Sequence, residues 1–173
     1  MAYDPKIHHR RSIRLKGYDY SSPNFYFITI CTQHRKHLFG EIIDGEMYHS
    51  AIGRMIEDEW LKTEERYPMV QDINHVVMPN HFHSIIRVKQ EHEYADPSAR
   101  TTPFASIADV TAYFKYHTTR LANLQEKLWQ RNYYEHIIRN AADFSKIDNY
   151  ISNNPFVWDK DCMNEKNIDK SQP

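Results

Sequence analysis

The sequence predicts an α+β fold of the ferredoxin-like, split βαβ type, with an antiparallel central sheet. Runs rich in β-branched and aromatic residues, which favour strands, are interleaved with segments whose apolar residues recur at helical spacing. An Asp-Gly pair between two short apolar runs adds a β-hairpin. With that hairpin set aside, the order is strand, helix, strand, strand, helix, strand, which defines the split βαβ arrangement, followed by one extra C-terminal helix.

Three elements are predicted in the first half of the chain. The segment Phe25–Thr32 (FYFITICT) follows a Ser-Ser-Pro-Asn turn and is β-branched and aromatic, which is typical of a strand. The hairpin is predicted within His37–His49, around Asp44-Gly45. From Ala51 to Arg66 the apolar residues recur at helical spacing, and Tyr67-Pro68 closes the helix.

The second half contains three more strands and two more helices. Ser106 is placed to cap a helix, with an acidic partner three residues on at Asp109. A polar, proline-containing stretch before this helix predicts a loop. In chain order, the predictions are strands at Ile73–Met78 and His81–Val88, a loop at Gln90–Pro103, a helix at Ser106–Leu124, a strand at Leu128–Ile138 and a helix at Ala141–Asn153.

Length and composition favour one globular domain. The 173 residues, of which 40% are hydrophobic and 13% aromatic, suffice for a real core. We predict a basic N-terminal arm at 1–24, the domain at 25–158 and a polar tail at 159–173. Cys31 and Cys162 have no CxxC partner, which argues against a disulfide framework or a zinc ribbon. No apolar run suits a signal peptide or a membrane span, so a cytoplasmic protein is predicted.

The net charge of −1 argues against a nucleic-acid-binding protein, but the charges are unevenly distributed. Residues 41–67 carry eight acidic side chains, whereas the first forty residues are basic. Taken alone, such an arm is more typical of a solvated terminus than of a binding surface. Its central basic side chains are Arg10, Arg11, Arg14 and Lys16.

The motif His81-Phe82-His83 falls on a predicted strand. Residues i and i+2 of a strand point to the same face, so the two imidazoles should emerge side by side while Phe82 turns into the core. Neutral imidazoles placed in this way are good ligands for a divalent metal. On spacing alone, a metal site and a pair of exposed strand histidines without a function are about equally favoured.

Tyr150 and Asn154 are four residues apart on the last predicted helix, so they should lie on one face. A phenol and an amide oxygen could then both face a metal ion. Pro155 disfavours helical backbone at Asn154 and places that asparagine at the helix C-terminus. Locally, an interfacial tyrosine and a helix-capping asparagine are the more common roles.

Four stretches, in order, resemble the single-tyrosine HUH transposases, most closely the REP-associated tyrosine transposases of the IS200-like group. They are RRSIRLKGYDYSSPNFYFITICTQHR, HVVMPNHFHSIIRV, LWQRNYYEHIIRN and IDNYISNNP, which cover most of Arg10 to Pro155. The resemblance implies that His81, His83 and Asn154 hold Mg²⁺ or Mn²⁺ and that Tyr150 is the nucleophile. Glutamine is found at the amide position in other members of the superfamily.

The resemblance also implies an activity and partners. It implies a transposase that cuts single-stranded DNA beside hairpin elements through a 5′-phosphotyrosine linkage, works as a homodimer and grips DNA with Arg10, Arg11, Arg14 and Lys16. Tyr133 and Tyr134 are rival nucleophiles. His136 and Arg139 could lie near phosphate, although a packing or surface role is at least as common for each. His75 is more typical of a satisfied sheet residue than of a third metal ligand.

Three other classes of protein are compatible with parts of the pattern. An RRM-like nucleic-acid-binding module has the same topology, but it leaves His81 and His83 unexplained. A small zinc hydrolase would use bound water as its nucleophile. A replication initiator or relaxase would share the HUH chemistry, although the short chain and the single tyrosine on the last predicted helix favour the transposase.

Overall fold

The computed structural model of the chain describes residues 17–94, 105–164 and 167. The predicted DNA-binding residues Arg10, Arg11, Arg14 and Lys16, and residues 95–103 of the predicted loop, lie outside them. The strands are β1 (Asn24–Cys31), β2 (Gly40–Ile43), β3 (Glu46–His49), β4 (Val70–Met78), β5 (His81–Val88) and β6 (Tyr134–Ile138), and the helices are α1 (Ala51–Leu61), α2 (Thr63–Arg66), α3 (Ile107–Ala122) and α4 (Ala141–Asn153).

Four strands form the central sheet in the order β4-β5-β1-β6, and every neighbouring pair is antiparallel. Strands β2 and β3 form the separate hairpin. The predicted α+β class with an antiparallel central sheet is therefore confirmed. The central strands are β1 and β5, and their register places Thr29 opposite His83.

Helices cover both faces of this sheet. On one face, α1 and α3 bury a large apolar core that includes Trp60, Phe82 and Phe114. On the other face, α4 covers a smaller cluster formed by Phe27, Ile85, Ile138 and Ile151. Because side chains alternate along a strand, β5 sends Phe82 into the large core and its two histidines toward α4.

Turn and cap residues act as their types predict. Asp44 and Gly45 both have positive φ, 51° and 81°, which a two-residue hairpin turn of type I′ requires. The side chain of Ser106 accepts from the Asp109 backbone N–H, and the Asp109 carboxylate accepts from the Ser106 N–H. This reciprocal capping box begins α3.

The helix predicted over Ala51–Arg66 is two helices. It breaks at Lys62, whose ψ of −3° departs from helical backbone, and it resumes as the short α2. The break lets Glu64 turn toward β4, where its carboxylate accepts from the backbone N–H of Asp72 at 2.9 Å.

The strand predicted over Leu128–Ile138 is too long, since β6 covers only Tyr134–Ile138. Before β6, the Lys115 ammonium donates to the carbonyls of Gln130 and Arg131 at 2.7 and 2.9 Å. The Trp129 indole N–H donates to Thr118 on α3 at 2.9 Å. The polar groups of this segment thus pair with α3 side chains, and its strand pairing is a single bridge between Thr32 and Trp129.

The first residues of the predicted polar tail, 159–164, pack against the domain. A short 3₁₀ turn at Trp158–Lys160 leads into this segment. Asp161 and Asn164 are buried in it, and the Asn80 amide donates to the Met163 carbonyl at 2.9 Å. These contacts seat the segment against the start of β5.

Candidate active site

His81 and His83 lie side by side on β5, beneath α4. Their ring centroids are 4.5 Å apart, and the side chains are buried, with the residues 0% and 1% exposed. The predicted same-face placement is present, but the alternative of exposed strand histidines does not describe this site. Two buried imidazoles need polar partners to offset their desolvation.

Each imidazole has one such partner at Nδ1. His81 Nδ1 lies 2.8 Å from Asn80 Oδ1, and His83 Nδ1 lies 2.8 Å from the Thr29 hydroxyl. A carboxamide oxygen only accepts, so His81 Nδ1 donates and Nε2 of the neutral ring carries the lone pair. Partners of this kind orient metal-binding histidines in general.

Both imidazoles are neutral near pH 7. Burial lowers the pKa of His81 to about 4, against the opposing negative charge of Asp161. Burial also lowers the pKa of His83 well below its usual range, with further lowering from the adjacent His81. The neutral ring is the form that binds a metal, so no proton has to be released first.

This pKa shift predicts a pH dependence of stability. The pKa of His81 is 6.5 in the unfolded chain and about 4 in the folded one. The stability that the neutral, buried imidazole gives is therefore fully present above pH 6.5 and is lost as the pH falls toward 4. The free energy of unfolding should decrease by up to about 3 kcal/mol over this range. Urea unfolding of His81→Gln should show a shallower decrease, and an identical slope in both proteins would contradict the shift.

Helix α4 brings Tyr150 to the same place. The helix begins at Asn140, whose side chain accepts from the Asp143 N–H, and ends with Asn154 as its C-cap. Tyr150 Oη lies 3.3 Å from His83 Nε2, with the two rings edge-on at 5.2 Å. Burial raises the pKa of Tyr150 to about 12, with the charge of Asp161 as the next cause. The phenol is therefore protonated at rest.

Asn154 is fully buried at the end of α4, as its position before Pro155 predicts. Its Nδ2 donates to Asp161 Oδ2 at 3.1 Å. Its Oδ1 and His81 Nε2 have no hydrogen-bond partner within the described part of the chain. Leaving two buried acceptor atoms unpaired is costly, and a bound cation is one ligand that would satisfy both.

The donor set fits a divalent ion that accepts mixed nitrogen and oxygen ligands. Across residues 17–94 and 105–164, no cluster of three or more His, Cys, Asp or Glu side chains is arranged for a metal. Two imidazoles and one amide oxygen would therefore need ligands from water or from a substrate to complete the shell. Catalytic metal sites keep such open positions.

Sequence reasoning missed Asp161 and Trp158. Asp161 Oδ2 lies 3.5 Å from Tyr150 Oη, and the Trp158 ring packs 5.9 Å from that of His81. Both belong to a segment with neither helical nor strand periodicity, so no local pattern could indicate their burial.

The rival tyrosines lie elsewhere. Tyr134 on β6 is half-exposed and meets Phe27 at 6.2 Å, whereas Tyr150 contacts His83 directly. Tyr133 packs against the large core on the other face.

The other residues considered in the sequence analysis have structural roles outside the candidate site. His75 pairs with Asp72 at 2.6 Å, as expected for a sheet residue, and His136 pairs with Asp143 at 2.8 Å. Arg139 follows β6, where its backbone N–H donates to Asp143. The two cysteines are both free.

Comparison with known proteins extends this description. No protein-family profile matches the chain. The structure is similar to that of a REP-associated tyrosine transposase bound to a REP hairpin, with a TM-score of 0.61 and 20% identity over 84% of this chain and 73% of that one. The predicted resemblance to the IS200-like transposase fold is thereby confirmed.

The chain is also 37% identical to an uncharacterised protein of Haemophilus influenzae, over 93% of this chain and 96% of that relative. It belongs to the same protein family as this H. influenzae protein. No helix among the described residues is long and apolar enough to cross a bilayer.

Proposed function

We propose that this protein is a transposase: a metal-dependent endonuclease and strand transferase that acts on single-stranded DNA beside hairpin elements. The main support is the position of the Tyr150 hydroxyl, 3.3 Å from His83 Nε2, next to the unpaired atoms of His81 and Asn154. The similar fold of a transposase bound to a REP hairpin supports the substrate class. A homodimer is part of the same proposal.

His81, His83 and Asn154 would hold Mg²⁺ or Mn²⁺ through two imidazole nitrogens and one amide oxygen. When bound, the ion would supply a Lewis acid that draws charge from the phosphoryl oxygens of the scissile phosphate. The protein's part is to keep both imidazoles neutral and oriented, through burial and through Asn80 and Thr29.

Tyr150 supplies the nucleophilic oxygen. Its oxygen attacks phosphorus and the P–O3′ bond breaks; the phenol gives its proton to solvent, and the leaving 3′-oxygen takes one from solvent. The products are a 5′-phosphotyrosine and a free 3′-hydroxyl, so atoms and charge balance and neither water nor ATP is consumed. Because one ester replaces another, a new 3′-hydroxyl can reverse the step and join strands.

The position of Tyr150 suits a polymeric substrate. The residue is 38% exposed, whereas His81, His83 and Asn154 are buried, so the site reaches the protein surface beside Tyr150. A flexible single strand can bring a phosphate to this opening, but a stacked duplex would have to be unpaired first.

The proposal is tested by mixing the full chain and Mn²⁺ with a pool of DNA hairpins that carry randomised stems and single-stranded flanks. After denaturation, a DNA-linked protein band and a released fragment with an extendable 3′-hydroxyl are expected, and EDTA should suppress both. A zinc hydrolase or a non-catalytic binding module leaves no covalent band, and that result would refute the proposal.

The basic arm has its own prediction. If Arg10, Arg11, Arg14 and Lys16 contact phosphates, changing all four to Ala should flatten the salt dependence of hairpin binding. Each lost contact should take about 0.7 to 0.9 off the log–log slope. Lys62→Ala, on the helical layer away from α4, is the control and should leave the slope unchanged. If the slope of the quadruple variant equals that of the wild type, the arm does not contact phosphates and is a solvated tail.

A further inference from the structure

Asp161 is a buried carboxylate in direct contact with a candidate metal ligand. The residue is 7% exposed and lies just beyond the 3₁₀ turn that follows α4. Its Oδ1 accepts from the Met163 backbone N–H at 2.7 Å, and its Oδ2 accepts from Asn154 Nδ2 at 3.1 Å. A buried charge is tolerated only when it is well paired, so these contacts hold the carboxylate in place.

The contact with Asn154 decides which end of that amide faces the site. An amide side chain presents a donor and an acceptor that can exchange places by rotation. An ionised carboxylate accepts only, so it selects the NH₂ end and leaves Oδ1 of Asn154 directed elsewhere. Oδ1 is the atom found buried and unpaired.

The other two candidate ligands are held by the same principle. Asn80 orients His81, and Thr29 orients His83, each through Nδ1. Asn80 also binds the segment of Asp161, because its Nδ2 donates to the Met163 carbonyl at 2.9 Å. Each of the three candidate ligands therefore has an orienting side chain beside it. Two of these side chains, Asn80 and Asp161, are also linked to each other, because both bind the backbone of Met163.

We propose that Asp161 is a positioning residue that fixes the Asn154 amide with Oδ1 toward the metal ion. The inference rests on the proposed function, because it presupposes that Asn154 binds the ion. It differs from a role as a direct ligand, in which Asp161 would contribute independently of Asn154, and from a purely structural role, in which only folding would suffer.

The test is the Mn²⁺ affinity of the full chain, measured by electron paramagnetic resonance without DNA. Asp161→Asn should weaken binding by about 10- to 100-fold, because the substituted amide cannot satisfy both Met163 and Asn154 as an acceptor. Asp159→Asn is the matched control, since it removes the same charge from an exposed position two residues earlier. It should change the affinity less than about twofold.

A double-variant cycle separates positioning from direct binding. In a chain that already carries Asn154→Ala, Asp161→Asn should weaken Mn²⁺ binding no further, because its route to the ion is gone. An undiminished loss in that background would show that Asp161 acts independently and would overturn the proposal. Wild-type affinity in Asp161→Asn alone would overturn it as well.

Two further measurements keep the outcome interpretable. If Asp161→Asn does not fold, the wild-type chain with Mg²⁺ can be studied by NMR instead. The Asn154 side-chain amide protons should exchange slowly with solvent, and rapid exchange would overturn the proposal.

His81→Ala tests the metal site itself. Unchanged Mn²⁺ affinity in His81→Ala would refute the proposed function, whereas a loss there with no effect of Asp161→Asn refutes only the positioning role.

Discussion

Tyr150→Phe should lower the yield of the covalent protein–DNA adduct by a factor of about 10³ or more, while the affinities for the hairpin and for Mn²⁺ stay normal. The change removes only the hydroxyl, so the edge-on contacts of the ring with His83 and Phe27 are retained. Without that oxygen no phosphate ester can form. Trapping the adduct on a denaturing gel measures the effect.

The matched controls are Tyr134→Phe and Tyr133→Phe, which should retain the adduct. Peptide mapping of the wild-type adduct adds a direct assignment, since the DNA should be linked to the peptide that contains Tyr150. Finding it on a peptide with Tyr133 or Tyr134 instead would refute the assignment of the nucleophile and leave the wider function standing.

The double variant His81→Ala, His83→Ala should lose both cleavage of single-stranded DNA and Mn²⁺ binding. It should also unfold more easily, by a few kcal/mol, because both side chains are buried and their removal leaves cavities and an unpaired Asn80 oxygen. Cleavage is therefore measured at a temperature where circular dichroism shows a folded chain.

His136→Ala is the control for this pair, because His136 lies on β6 and pairs with Asp143 at 2.8 Å outside the site. It should keep Mn²⁺ affinity and cleavage within a fewfold of wild type. Full cleavage by the folded double variant, with or without Mn²⁺, would contradict the metal site.

The local patterns in the sequence were sufficient for the elements that carry the site. The period of two residues places His81 and His83 on one face of a strand, and helical spacing brings Tyr150 and Asn154 together. Each of these predictions needs only a few neighbouring residues. The roles of these side chains in metal binding and catalysis remain predictions.

The remaining features depend on contacts between distant parts of the chain. Asp161 is buried because Asn154 and Tyr150 meet it in space, and nothing in its own segment indicates this. Likewise, Leu128 and Trp129 look like the start of a strand, but Lys115 and Thr118 on α3 bind their segment instead. Such pairings override local propensity.

The two sides of the sheet differ in how firmly they are held. The core beneath α1 and α3 contains many large buried side chains, whereas the cluster beneath α4 has only four among the described residues, and one of these, Ile151, belongs to α4 itself. Native-state opening proceeds in cooperative units, and the unit with least buried apolar contact opens at the lowest free energy. Brief opening of α4 would carry Tyr150 and Asn154 away from β5, so the site would come apart while the histidines stay in a folded sheet.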